Sequence, residues 1–265
     1  MKERLKRVPW WLAAIILLGG WMLSSALTSA NYRVIFSAVS HGLGVTLMVS
    51  IIAYAASIVL GLAFGLLRSS RARVAREAST FYIELVRGLP MLVILYYIAF
   101  VGAPALAQVL NTLLAPLIGA GIIGRFEPRS FSFATRAVIA LTLGYAAFIA
   151  EIFRAGIESV DKGQTEAAEA LGMTHWQTMR RIVLPQAVRN VLPALGNEFV
   201  AIIKDSSLVS VLGVQDITQL GKVYAASTFK FFETYNAVAF FYLCLTVSLS
   251  LLLRRLEARM KRGKR

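Results

Sequence analysis

Charged residues are scarce. Asp, Glu, Lys and Arg make up 16% of the 265 residues, where a soluble domain carries about 25%, so there is too little polar material to cover a globule. Cysteine occurs once, as Cys244, which excludes a disulfide within the chain and any thiolate metal cluster. Histidine occurs twice, as His41 and His175, too few for a metal site built on imidazoles. A phosphate-binding loop is also absent. It needs G-x-x-x-x-G-K-[ST], whose backbone amides surround the phosphate and whose lysine reaches it. The pairs Gly221-Lys222 and Gly263-Lys264 lack both the following Ser or Thr and the correctly spaced glycine.

What fills the chain instead is apolar. Hydrophobic residues are 57% of it and mean hydropathy is +0.67, beside a net charge of +14. That composition excludes disorder and nucleic acid as a partner, and leaves an all-α polytopic membrane protein whose charges must be read by position. A spanning helix needs about 20 mainly apolar residues. Candidate spans are 10–29, 42–67, 90–102, 134–153, 191–214 and 234–253. The third is ambiguous, because residues 91–124 are apolar throughout while Pro104 and Pro116 interrupt them.

Basic residues decide the parity. With six spans, one side holds 21 of them: Lys2, Arg4, Lys6 and Arg7; Arg68, Arg71, Arg73, Arg76 and Arg87; Arg154, Lys162, Arg180, Arg181 and Arg189; and seven in the tail from Arg254 to Arg265. The other side holds 6, Arg33, Arg125, Arg129, Arg136, Lys222 and Lys230, with Lys204 inside a span. A seventh span would put the basic tail outside, against the positive-inside rule. The expectation is six transmembrane helices with both termini cytoplasmic, and an external, partly helical segment at about 103–133. One transmembrane domain covers 1–265: an N-terminal helix and external loop over 1–40, a core over 41–255, and a basic tail over 256–265. A basic start, an apolar run and small residues near Ser24–Ala30 also fit a cleaved signal peptide. The run of about 20 residues and the interfacial pair Trp10-Trp11 favour a retained helix.

Between the fourth and fifth spans, the loop 154–190 has helix-forming character with mixed polarity. Glu166 to Leu171 is a run of strong helix formers, and Gly172 can take the left-handed conformation that ends a helix. Thr174 followed by Gln177 has the spacing of a capping box. A second helix is expected at about His175–Val183, stopping before Pro185. A compact helix–turn–helix of this kind is an interaction surface; the plainer reading is an interfacial hairpin whose Arg180 and Arg181 touch headgroups.

Glu166-Ala167-Ala168, Gly172, and then Ile182, Leu184 and Pro185 resemble the EAA loop of bacterial ABC-importer permease subunits, matching EAA-x3-G-x9-I-x-L-P at every fixed position. Ala150–Ile157, Leu195-Gly-Asn-Glu-Phe199 and Lys204-Asp-Ser-Ser-Leu-Val-Ser210 resemble the polar amino acid branch, and the likeness runs over about 40–255. The resemblance implies a coupling loop, Glu166 to Trp176 with Met173, Thr174 and His175, seated in a groove of a separate ATPase. ATP and Mg would then sit on that partner, with no cofactor on this chain. It also implies two ATPase subunits, a second permease subunit identical or similar, an extracytoplasmic binding protein, and residence in the bacterial inner membrane. The stretch from Pro104 to Arg129 is longer than in small members of this branch and leaves the docking of a binding protein open.

Charge at mid-bilayer is costly and faces a bundle interior or water. The fifth span holds Asn197, Glu198, Lys204, Asp205, Ser206, Ser207 and Ser210. Glu198 and Asp205, seven apart, share a helical stripe, and Asn197 and Lys204 share the next. These residues, with Tyr145 on the fourth span, are the candidate substrate pathway, since an amino acid brings both a carboxylate and an ammonium. The competing reading is structural, with the same groups bonding between helices; Glu151 falls under the same two readings. Thr46, Ser50, Tyr54 and Ser57 read as packing residues, His41 as interfacial, His175 as a surface residue of the hairpin, and Phe229–Tyr235 as an external interfacial segment. An ion-driven transporter of small polar solutes is the alternative; it would show an internal repeat, and none is evident. An intramembrane enzyme would need a nucleophile with a base or a metal cluster, and no histidine falls in a span.

Overall fold

A computed structural model describes residues 10–70 and 72–262. Lys2, Arg4, Lys6, Arg7, Arg71, Lys264 and Arg265 lie outside the described residues, as do the side chains of Trp11, Lys261 and Arg262. Among the described residues all regular structure is helical. Helices α1 (Trp10–Thr28), α2 (Ala30–Ser40) and α3 (Leu43–Arg68) lead into α4 (Arg73–Arg87). Then come α5 (Met91–Tyr97), a π turn (Ile98–Gly102), α6 (Ala103–Leu113), α7 (Ala115–Gly119) and α8 (Phe133–Glu158). The hairpin is α9 (Lys162–Ala170) and α10 (His175–Thr178), followed by a second π turn (Met179–Val183) and α11 (Leu184–Asp205). A 3-10 segment (Ser206–Leu212), α12 (Ile217–Thr228) and α13 (Phe231–Arg262) complete the chain.

Among the described residues four stretches are long and apolar enough to cross a membrane: Ala30–Arg68, Met91–Leu113, Phe133–Glu158 and Phe231–Arg259. The stretch Ala13–Ser25 within α1 is apolar but shorter. Helix α11 is not among the four because it carries the polar residues of the fifth expected span.

The centre of the bundle is α3 lying along α8. Ala53, Ser57, Gly61 and Gly65 recur every four residues and so form one stripe of small side chains, all buried. A Cβ on Gly61 would come within 2.6 Å of Ile149 Cγ2, and one on Gly65 within 3.0 Å of the Ala150 carbonyl oxygen. Close approach of the two backbones therefore needs glycine there, as in other membrane helix pairs. Ser57 donates to the carbonyls of Ala53 and Thr142, so its hydroxyl also ties the pair together. Around this seam Leu95, Leu141, Tyr145, Ile202 and Val209 form the main core.

Two prolines do less than the sequence implies. The span expected at 90–102 runs on to Leu113 despite Pro104, and α11 continues through Pro185 where a stop was expected. In both places a π turn ends two residues before the proline, with Ala103 N–H donating to Ile98 and Leu184 N–H to Met179. Proline lacks an N–H, and its ring clashes with the carbonyl four residues back. The wider turn re-phases the backbone ahead of the ring, so the helix continues. The segment expected to lie outside accordingly begins after Leu113 rather than at 103. Asn111 pins it, donating to the Phe126 carbonyl and accepting from the Phe126 N–H, each at 2.8 Å.

Near the other end of α3, buried Asp216 caps α12 by accepting from Gln219 N–H at 2.8 Å, and Tyr242 Oη of α13 donates to it at 3.1 Å. Burial pushes its carboxyl above the usual carboxylate range, while hydrogen bonds from Gln219, Thr218 and Tyr242 pull it back. The fifth expected span, 191–214, is α-helical only to Asp205 and tightens to 3-10 before Gly213 turns it at φ +77°.

Candidate functional site

Two places gather the residues the sequence singles out. The first is the hairpin. Asp161 caps α9 by accepting from Gly163 N–H at 2.7 Å. At the far end Gly172 has φ +74°, with its N–H on the Glu169 carbonyl at 2.9 Å and Met173 N–H on the Ala168 carbonyl at 3.0 Å. This pair of bonds closes a helix on a left-handed residue, and it explains Ala168, which is buried beneath the turn. Thr174 and Gln177 then form the expected capping box, Thr174 Oγ1 accepting from Gln177 N–H at 3.3 Å and Gln177 Oε1 from Thr174 N–H at 2.9 Å.

A turn closed at both helix ends holds its tip in one shape. On that tip Leu171 is 83% exposed and Trp176 68% exposed. Glu166, Ala167, His175 and Pro185 are exposed, Met173 and Ile182 half-buried, and Leu184 at the edge of exposure. Beneath them Val183 and Ala187 pack on Val160 and seat the hairpin on the end of α8.

Charged residues, of which the sequence reading weighed a role only for Glu151, brace this end. Arg68 of α3 reaches Glu151 of α8 at 2.9 Å and Glu84 of α4 at 3.2 Å. Arg154 pairs with both Glu151 and Glu158. Glu151 is thus committed to ion pairs within the chain. Its i+3 spacing to Arg154 was a readable signal; the long-range pairing with Arg68 was not.

The second place is mid-bundle. A cavity of about 220 Å³ is lined by Leu89, Met91, Tyr145, Phe148, Glu198 and Asp205. The seven-residue spacing on α11 does bring Glu198 and Asp205 together, and Tyr145 Oη of α8 donates to Asp205 Oδ2 at 2.9 Å. The lining offers two carboxylates and a phenol against apolar walls, an arrangement that would accept an ammonium. Tyr145 lies 12 residues from one end of α8 and 13 from the other, so the cavity is roughly 18–20 Å from each end of that helix.

The remaining candidates lie off the cavity. Asn197 and Lys204 point to the exposed side of α11. Ser206 is buried, with its hydroxyl on the Ile203 carbonyl at 2.8 Å, and the Ser207 carbonyl takes the Ser210 hydroxyl at 2.7 Å. Thr46, Ser50, Tyr54 and Ser57 bond to neighbouring backbone, consistent with packing. Leu89, Met91 and Phe148 were missed, because nothing local in the sequence marks them as cavity walls.

A family model described as "Binding-protein-dependent transport system inner membrane component" matches residues 57–262. The "Probable amino-acid permease protein YxeN" of Bacillus subtilis (strain 168) is 39% identical over 227 residues, 86% of this chain and 93% of that protein. The "Glutamine transport system permease protein GlnP" of Escherichia coli (strain K12) is 38% identical over 221 residues, 83% of this chain and 92% of that one. Among solved structures, an amino acid ABC transporter crystallised with histidines superposes at TM-score 0.72 with 36% identity, over 88% of this chain and 97% of that chain. An inward-facing MetNI methionine ABC transporter superposes at TM-score 0.64 over 84% of this chain and 96% of that chain; at 20% identity it speaks to the fold alone.

Proposed function

The chain belongs to the family of binding-protein-dependent transport system inner membrane components, and on that premise we propose that it forms the translocation path of an ATP-driven importer of polar amino acids. As a member it is a transport component of the inner membrane and not an enzyme, and its family works with an ATPase and a binding protein.

The observation that carries the coupling role is the hairpin tip. A left-handed Gly172 and a closed capping box present Leu171 and Trp176 outward in a fixed geometry. Such a tip suits a groove on a separate ATPase, and since this sequence carries no phosphate-binding loop, ATP and Mg would be held by that partner. Closure of the ATPase would push the region Glu166 to Trp176 as a rigid body. The ion pairs of Arg68 and Arg154, and the packing of Val183 on Val160, would pass that push to α3, α8 and α11.

In our reading the chain is one permease domain with six spans and both termini cytoplasmic: the four apolar stretches together with α1 and the polar α11. The 21-to-6 distribution of basic residues supports it. Two such permeases would give about twelve spans around one path, with two ATPases inside and a binding protein outside. Cargo would pass the cavity of Glu198, Asp205 and Tyr145, which offers acceptors for its ammonium. The names of the relatives favour an amino acid over other small solutes.

The test is affinity purification of the tagged chain from its native membrane in mild detergent, with mass spectrometry of what co-elutes. An ATPase with a phosphate-binding loop is expected. Uptake that follows an ion gradient, with no ATPase in several detergents, would overturn the proposal.

A further inference from the structure

Between α1 and α13 lies a groove of about 480 Å³ whose lining is apolar apart from Asn236 and Ser248. Its α1 wall carries Gly19 and Gly20, which have no side chains to fill the space. A Cβ on Gly19 would stop 3.9 Å from the Phe240 ring, and one on Gly20 would meet nothing within 4 Å. Small residues usually let membrane helices close on each other. Here the facing residues Ala239, Cys244 and Ser248 of α13 remain exposed. An apolar cavity does not hold water, so a groove of this kind in a bilayer fills with hydrocarbon. Helix α1 precedes the family match at 57–262, which leaves one wall of the groove outside the matched core.

The groove continues into charge. Cys244, Ser248, Leu252, Arg255 and Arg259 follow one another on α13 at three- or four-residue spacing, so they form one stripe, and every member is exposed. Among the described residues neither Arg255 nor Arg259 enters any of the ion pairs. Glu257, between them in sequence, points about 200° away around the helix. The occupant must therefore offer hydrocarbon in the groove and negative charge about 10 Å further along the same stripe. A phospholipid does both, and basic clusters beside membrane helices bind anionic headgroups. The hydrocarbon of one leaflet is about 15 Å thick, so a tail whose phosphate rests on the arginines passes Ser248 and ends near Cys244. We infer that the groove seats one acyl chain of an anionic phospholipid, with the phosphate held by Arg255 and Arg259. The lipid then fills the gap left by the two glycines and fastens α1 to α13. The site rests on the six-span reading, which places α1 in the membrane.

The test places the full-length protein, with the subunits that co-purify, in phosphatidylcholine nanodiscs. A trace of phosphatidylglycerol carrying a diazirine in one acyl chain is added and irradiated, and its attachment sites are mapped by mass spectrometry. Labelling is expected at Cys244, Ser248 and Leu18, all of which line the groove. Excess unlabelled phosphatidylglycerol should suppress it and excess phosphatidylcholine should not. Arg255→Gln and Arg259→Gln should each weaken it about fivefold, the scale for one basic residue near an anionic membrane surface, while Arg255→Lys and Arg259→Lys keep it. Ser248→Phe should block it by filling the groove. Leu17, 74% exposed and off the groove, is the internal control, labelled equally by phosphatidylglycerol and phosphatidylcholine probes in every variant. Three results overturn the inference: groove labelling no stronger than that of Leu17, equal groove labelling by a phosphatidylcholine probe, or a groove left unlabelled because protein covers it. Those three leave the six-span reading standing. A Leu17 that neither probe labels would sink the placing of α1 in the membrane and the lipid site with it.

Discussion

Arg136 Nη1 lies 2.9 Å from the carbonyl oxygen of Ala99, 37 residues earlier in the chain. In the π turn that ends at Gly102, the Ala99 carbonyl is the acceptor that residue 104 would serve, and residue 104 is proline. The proline leaves an unpaired carbonyl inside a membrane-spanning helix, and an arginine from α8 satisfies it. The same guanidinium donates to Phe131 at 2.9 Å and to Pro128 at 2.7 Å, and lies 4.9 Å from the centre of the Phe133 ring.

One side chain thus ties the segment 114–132 to the helix on either side of it. Arg136→Met should free all three carbonyls and destabilise the segment by on the order of 2 kcal/mol, the scale of hydrogen bonds to a charged group. Hydrogen exchange should rise across 114–132 and leave the α3–α8 seam protected. Unchanged exchange there would refute the anchoring role.

The α3–α8 seam makes its own prediction. Gly61→Val puts methyl groups where Ile149 Cγ2 and the Ala146 carbonyl already sit, 2.6 Å and 3.0 Å from a Cβ. The helices must part, at a cost of about 1–3 kcal/mol. The purified protein should melt earlier in detergent, and Val59→Ala, on an exposed face of the same helix, should not change the melt. Equal effects from the two would mean that the seam is not tight.

The parts legible in the sequence share a property: their geometry is decided within a few residues. Gly172 and the pair Thr174 and Gln177 specify a left-handed closure and a capping box from local chemistry alone, and both are present. The spacing of Glu198 and Asp205 is likewise a property of one helix. Pro104 and Pro185 misled for the complementary reason. A proline reads as a stop unless the helix widens ahead of it, and at Pro104 the orphaned carbonyl is satisfied by Arg136 from a distant segment. Leu89, Met91 and Phe148 could not be foreseen, because a cavity wall is a relation among helices and has no local spacing.

The cavity supplies a third expectation. Glu198→Gln and Asp205→Asn each remove one acceptor charge for an ammonium while keeping side-chain volume. Uptake should fall at least about tenfold, since a charged hydrogen bond contributes roughly 1.5–3 kcal/mol. Insertion and binding of the ATPase should be unaffected. Tyr145→Phe, which removes the O–H on Asp205 and no charge, should fall less. If all three leave uptake at the wild-type level, cargo does not use the cavity.

Gly172 separates a shape requirement from a contact requirement. At φ +74° a β-branched side chain is strained by about 1–2 kcal/mol, yet a Cβ placed there meets nothing within 4 Å. Any loss in Gly172→Val therefore comes from the backbone and not from crowding inside the chain. Asparagine tolerates the left-handed region far better. Gly172→Val should insert normally but lose ATPase binding, or bind it without coupling hydrolysis to uptake, while Gly172→Asn keeps most of both. Trp176→Ala leaves the turn intact and removes an exposed side chain, so it should weaken ATPase binding without altering the hairpin's protection from hydrogen exchange. Uptake at the wild-type rate in Gly172→Val would show that the left-handed turn is dispensable, and with it the rigid-body push through α9 and α10.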